Sequence, residues 1–159
     1  MAEMDMTETD VAPLARLRII WIAFFAAVCV YTLVPWFVVG DGLDSATANT
    51  DAMRSGLQAG AIGAAVASFL SRRRWSKIIL EAAQPGAPAR GDAWTQLQFG
   101  CIITWAICEV VALIGIATAL VTRHAVEVVP YAGAALFLLY MHRLAMWPVP
   151  QVEPAAGSA

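Results

Sequence analysis

Residues 97–121 read LQFGCIITWAICEVVALIGIATALV, and this stretch decides the fold. It exceeds the roughly 20 apolar residues that a helix needs to cross the hydrocarbon core of a bilayer. Glu109 is its single charged residue. The whole chain of 159 residues is 60% hydrophobic and 14% charged, which is too little charge to cover a soluble domain. We therefore predict an integral membrane protein.

Three other apolar segments accompany this one. The four predicted membrane spans cover about residues 17–39, 55–71, 97–121 and 128–146. The predicted fold is thus all-α, an integral membrane four-helix bundle. The remaining segments are a polar N-terminal tail at 1–15, a cytoplasmic loop at 72–96 and a flexible C-terminal tail at 148–159. Inside that loop, Trp75, Ile78, Ile79 and Ala82 have helical spacing, which predicts an amphipathic continuation of the second helix.

The basic residues predict the orientation in the membrane. Eight Lys and Arg side chains flank the spans on one side, and two, Arg54 and Arg123, on the other. Because Lys and Arg accumulate in cytoplasmic loops, both termini and the middle loop are predicted to be cytoplasmic. We expect a multi-pass protein of the cell inner (cytoplasmic) membrane. The cluster Arg72, Arg73 and Arg74 is interpreted as a topology determinant that also contacts anionic lipid headgroups.

The sequence shows no recognisable catalytic site. It has no Ser/His/Asp arrangement, no phosphate-binding glycine loop and no paired carboxylates, and its three cysteines lie in apolar runs. We predict no cofactor and no metal site. A net charge of −2 gives no reason to expect nucleic acid as a partner. His142, beside Arg143 at the end of the fourth span, is interpreted as an interfacial anchor.

Glu109 is the candidate ion-binding residue, because no other acidic residue lies well inside a predicted span. A charged side chain there costs about 2.5–3.5 kcal/mol on insertion scales, and intramembrane acids are often functional. The predicted spans contain no base to pair with it, which favours a protonated carboxyl group. Two interpretations stay open: reversible binding of a proton, or a hydrogen bond that joins two helices.

The second span is rich in small residues that are candidates for helix packing. Gly56, Gly60, Gly63 and Ala64 belong to it, and two pairs, Gly56–Gly60 and Gly60–Ala64, are spaced four apart on one helix face. Small side chains allow helix backbones to approach closely in lipid. We therefore expect this helix to pack centrally.

Residues 108–120, CEVVALIGIATAL, resemble the carboxylate helix of the c-subunit (proteolipid) family of rotary ATPases. In that family a membrane-embedded Glu or Asp precedes Ala-Leu, an aromatic or aliphatic residue and Gly, and here residues 112–115 read ALIG. The Gly-rich residues 55–71 are similar to the family's inner helix. The resemblance implies that Glu109 carries a proton or sodium ion in a ring of identical subunits, with Ala112 and Gly115 among the packing residues.

Three functional hypotheses follow. The first is a proteolipid-like subunit that binds and translocates a proton or sodium ion, at most as part of an ATPase-type complex. The second is a non-catalytic structural or accessory protein in which Glu109 joins helices. The third, a small transporter, lacks the broken helices and multiple polar residues expected at its centre. The expected partners are the lipid bilayer and either identical subunits or a larger membrane complex.

Overall fold

The described residues of the computed structural model are 8–39, 50–84 and 90–149, and they form helices without any strand. The four α-helices are α1 (Glu8–Val38), α2 (Thr50–Ala82), α3 (Arg90–Thr122) and α4 (Val128–Met141). Short 3₁₀ turns at Ala125–Glu127 and Leu144–Met146 flank α4. The all-α prediction with four helices is confirmed.

Two helices among the described residues are long and apolar enough to cross a membrane. These are α1, over Pro13–Val38, and α3, over Ala93–Thr122. At 1.5 Å per residue both exceed the roughly 30 Å of a hydrocarbon core. The apolar helical segment Ala125–Met141 is shorter.

Some segments differ from the sequence-based boundaries. The stretch 72–96, expected to form a loop, is helical over 72–82 in α2 and over 90–96 in α3. The amphipathic continuation of the second helix is therefore confirmed. The fourth span was expected to reach residue 146, but α4 ends at Met141 because the chain turns at His142. The N-terminal tail was expected to extend to residue 15, whereas α1 begins at Glu8. Residues 1–7 and 150–159 of the two expected tails lie outside the described part.

Helix α3 lies at the centre and packs against each of the other three helices. Its buried residues include Leu97, Cys101, Trp105, Cys108 and Val111. They follow a spacing of three or four residues and so form one face, which is the pattern of a helix turned toward a core. Trp105 is fully buried, with its ring centroid 6.3 Å from that of Phe24 on α1.

The small residues of α3 pack tightly, whereas most of those in α2 do not. Ala112 and Gly115 are buried, and a Cβ on Gly115 would lie 2.5 Å from the Cβ of Tyr131 on α4. In contrast, a Cβ on Gly56 or Gly63 meets nothing within 4 Å. Gly56 and Gly63, expected to pack helices, therefore make no close approach to the described residues.

Gly60 and Ala64 are packed less tightly than Gly115 but more closely than Gly56 and Gly63. A Cβ on Gly60 would be in ordinary contact with the Ile114 side chain, at 3.6 Å. Ala64 is partly buried against the core. Gly100, which the sequence did not single out, is closer to its neighbours: a Cβ there would lie 2.8 Å from the Cβ of Trp75. Close backbone approach is thus concentrated on α3.

Replacing Gly115 with Ala is expected to destabilise the protein. The added methyl group would overlap Tyr131, and overpacking of this kind costs about 1–3 kcal/mol. Thermal unfolding in detergent micelles measures the loss. Gly63→Ala is the matched control, because the same methyl group there enters open space and Ala favours a helix by up to about 1 kcal/mol. Equal stability of the two variants would contradict this packing.

Candidate functional site

Glu109 is held at the seam between α1 and α3. Its side chain is partly exposed, and it interacts electrostatically with the Tyr31 side chain on α1. Cys108 beside it is fully buried, whereas Val110 is 42% exposed. The carboxyl group therefore lies at the edge of the core, with one side toward Tyr31 and the other toward the surface of the bundle.

The carboxyl group has no cationic partner among the described residues. The two ion pairs in these ranges are Arg54–Glu127 and Lys77–Glu81, and neither involves Glu109. Tyr31 is thus a neutral partner, which can donate a hydrogen bond but cannot compensate a full negative charge.

The depth of Glu109 follows from contacts between α2 and α3. The Ser71 Oγ lies 3.0 Å from the Thr104 Oγ1, so Thr104 is level with the start of the arginine cluster. Glu109 is five residues further along α3, about 7.5 Å along the helix axis. The opposite end of α3, at Thr122, is about 20 Å away. Glu109 therefore lies closer to the level of Arg72 than to the Thr122 end of α3.

His142 is the second polar centre, and it lies inside the bundle. The side chain is fully buried, with its Nε2 3.2 Å from the Ser68 Oγ and its ring in edge contact with Phe69. Its backbone carbonyl accepts hydrogen bonds from the indole Nε1 atoms of Trp105, at 2.9 Å, and Trp147, at 3.1 Å. The interpretation of His142 as an interfacial anchor is therefore wrong: Trp147 folds back and covers it.

The arginine cluster divides into two kinds of side chain. Arg72 donates from Nη1 to the Met141 carbonyl, at 3.3 Å, and from Nη2 to the Met146 carbonyl, at 2.7 Å. A cation at these carbonyls also complements the negative end of the α4 dipole. Arg73 and Arg74 are exposed. Arg72 thus fixes the end of α4 to α2, whereas Arg73 and Arg74 lie on the surface of the bundle.

The opposite end of the bundle has its own contact between α2 and α4. The Arg54 Nη2 lies 2.8 Å from the Glu127 Oε1 and 3.1 Å from the Oε2. These side chains border a groove of about 420 Å³. Arg54 contacts Glu127 just before α4, and Arg72 contacts the residues at and after its end. Helices α2 and α4 therefore run in the same direction between these two contacts.

Within the described ranges, no group of three His, Cys, Asp or Glu side chains is arranged to hold a metal ion. Cys101 and Cys108 are buried and unpaired. Comparisons of the chain with protein-family models, with curated proteins and with solved structures found no match. Function is therefore inferred from the geometry of Glu109 and its surroundings.

Proposed function

We propose that this chain is a four-span membrane protein whose Glu109 carboxyl binds a proton, or a sodium ion, reversibly and passes it on, as a proteolipid-like subunit. The observation that carries the proposal is the position of Glu109: partly exposed on a membrane-length helix, next to the neutral Tyr31 and without a cationic partner among the described residues. An ionised carboxylate in such a site is costly, so binding a cation stabilises it.

The contacts between helices support four spans with both termini in the cytoplasm. Arg72 lies beside the end of α4, and Arg54 lies beside its start. The 18 residues between these arginines correspond to about 27 Å of helix, close to the thickness of a hydrocarbon core. Arg18 and Arg143 line one groove and so lie together. The positive-inside rule assigns the Arg72 end to the cytoplasm.

The depth of Glu109 supports exchange of the cation with the cytoplasmic side. It lies about 7.5 Å along α3 from the level of Ser71, a little more than one helical turn, and its side chain is partly exposed. The Tyr31 hydroxyl can hydrogen-bond the carboxyl group in either protonation state, because a hydroxyl both donates and accepts. Tyr31 would therefore position the carboxyl group while the proton enters and leaves.

A homo-oligomer in the inner membrane is part of the proposal. A Cβ on Gly56 or Gly63 would meet no described atom within 4 Å, and nearby Ile62 and Val66 are largely exposed. A second copy can approach such a face closely, as the ring arrangement of the c-subunit family implies. Light scattering of the protein in mild detergent measures the expected oligomer; a strictly monomeric protein would contradict the ring.

One observation favours a second candidate function, that of a structural or accessory protein. The interaction between Tyr31 and Glu109 joins α1 to α3, so it can serve to hold the helices together. The two functions differ in what the carboxyl group must do. Structural linkage requires a hydrogen bond, which Gln also supplies, whereas cation binding requires an ionisable group.

Reaction with a hydrophobic carbodiimide tests the proposed function. Carbodiimides activate protonated carboxyl groups, so we expect about one label per chain, on Glu109, with faster labelling at lower pH. Peptide mass spectrometry locates the label. Glu109→Gln should remove it, and Glu81→Gln, which changes an exposed acid on α2, should not. Absence of labelling at every pH would show a carboxyl group enclosed in the bundle and would favour the structural function.

A further inference from the structure

A groove between the start of α1 and the segment after α4 combines two arginines with apolar walls. Its volume is about 400 Å³, within the range of small-molecule sites. Arg18 on α1 and Arg143 after α4 contribute the basic groups, and Leu14, Ile22, Leu144 and Val149 are among its apolar lining. Neither Glu109 nor Tyr31 belongs to it.

The two arginines are not neutralised by the described part of the chain. Neither takes part in the ion pairs of these ranges, which join Arg54 to Glu127 and Lys77 to Glu81. The Arg143 Nε is buried and has no hydrogen-bond partner among the described residues. Its guanidinium carbon lies 4.5 Å from the centre of the Tyr140 ring, which fixes the group in place without satisfying its donors.

The back of the groove is rigidly built. The Trp21 indole Nε1 donates to the Leu139 carbonyl, at 3.0 Å, and so fastens α1 to α4. The Leu144–Met146 turn contacts α1, and Arg72 holds that turn through the Met146 carbonyl. The groove is therefore a fixed feature of the fold at the end that the proposed topology assigns to the cytoplasm.

We propose that this groove binds one anionic phospholipid of the cytoplasmic leaflet, with its phosphate between Arg18 and Arg143 and an acyl chain along the apolar wall. Guanidinium groups match phosphate oxygens in charge and geometry. Basic pockets between membrane helices on the cytoplasmic side are suited to such headgroups. The apolar walls distinguish a lipid from a soluble phosphate, because only the lipid gains from covering them.

The proposal rests on the proposed membrane topology and is independent of cation binding at Glu109. Glu109→Gln is accordingly expected to bind anionic lipid as the wild type does. Failure of lipid binding with intact carbodiimide labelling would overturn the groove alone, and loss of labelling with intact lipid binding would overturn the proposed function alone.

Native mass spectrometry of the full chain in detergent micelles tests the groove. The probes are phosphatidylglycerol and phosphatidylcholine with identical acyl chains, added in equal amounts. We expect one phosphatidylglycerol per chain, retained in preference to phosphatidylcholine. Arg18→Gln and Arg143→Gln should each weaken its binding about fivefold, since a basic residue contributes about 1 kcal/mol to anionic lipid binding. Binding of phosphatidylcholine should not change.

Two controls complete the experiment. Arg73→Gln with Arg74→Gln removes two exposed charges from the same end and should leave phosphatidylglycerol bound; an equal loss there would show non-specific attraction and overturn the site. Arg18 is exposed, so its replacement leaves the fold intact, and Arg143→Lys retains the charge at the second position. Displacement of the lipid by an equal concentration of glycerol phosphate would assign the site to soluble phosphates and contradict the proposal, as would equal retention of both lipids by the wild type.

Discussion

Under the proposed function, replacing Glu109 with Gln is expected to abolish proton transfer across the membrane. Purified protein in lipid vesicles should let protons follow a potassium diffusion potential, measured with a pH-sensitive dye inside the vesicles. In Glu109→Gln the rate should fall to that of protein-free vesicles, because an amide cannot take up and release a proton near neutral pH. The interaction with Tyr31 would remain, since the Gln side-chain oxygen accepts a hydrogen bond from a hydroxyl.

Three comparisons make this result specific. Tyr31→Phe keeps the carboxyl group but removes its partner, so we expect an intermediate rate. Glu81→Gln removes an acid that is exposed and pairs with Lys77 outside the site, so the rate should match the wild type. Thermal unfolding of Glu109→Gln should be unchanged. If Glu109→Gln transferred protons as the wild type does, the structural function would be the better account.

Among the substitutions proposed for this protein, truncation of Trp105 to Ala is expected to cause the largest loss of stability. The side chain is fully buried and contacts Phe24, and burial of a large aromatic is worth about 3–5 kcal/mol on truncation. The change also removes one of the two indole donors to the His142 carbonyl. Thermal or denaturant unfolding in detergent micelles measures the difference from the wild type.

Trp36→Ala is the matched control for this truncation. Trp36 is 55% exposed on α1, so the same chemical change creates no cavity in the core. Trp105→Phe separates the two contributions, because it keeps most of the volume and loses a hydrogen bond worth about 0.5–1.5 kcal/mol. If Trp105→Ala and Trp36→Ala lost equal stability, the central position of α3 would be wrong.

Helix positions were predictable from the sequence where one physical pattern dominates. Apolar runs longer than a bilayer crossing located α1 and α3, and the spacing of Ile78 and Ile79 identified the continuation of α2. The end of α4 was not predictable in this way. Apolar residues resume at Leu144, just after His142 and Arg143, but the helix stops at Met141 because His142 and Trp147 pack into the core as a turn.

The acid of the candidate site was identifiable from the sequence, but its partner was not. Glu109 is conspicuous as the charged residue of an apolar stretch. Tyr31 lies 78 positions earlier, and the register of α1 against α3 is set by packing around Trp105, which no local pattern records. The same reason applies to His142, whose burial depends on Ser68 and on a tryptophan that follows the last helix.

Small residues gave an incomplete indication of packing. A glycine pattern shows where close approach is sterically allowed, but it does not show which face meets a neighbour. Gly115 is buried against Tyr131, whereas Gly56 and Gly63 have open space around them among the described residues. Membrane insertion, the orientation and the oligomer are proposals that rest on the apolar helices, on the arginine positions and on these open faces.

Infrared titration of the carboxylic-acid carbonyl stretch measures the central claim most directly. The protein is reconstituted in lipid, its spectrum is recorded over a pH series, and that of Glu109→Gln is subtracted. We predict one acid band that appears and disappears reversibly with pH and is absent from the variant. A Glu109 that remains protonated across the series, or that is a water-exposed carboxylate throughout, would contradict reversible cation binding at this residue.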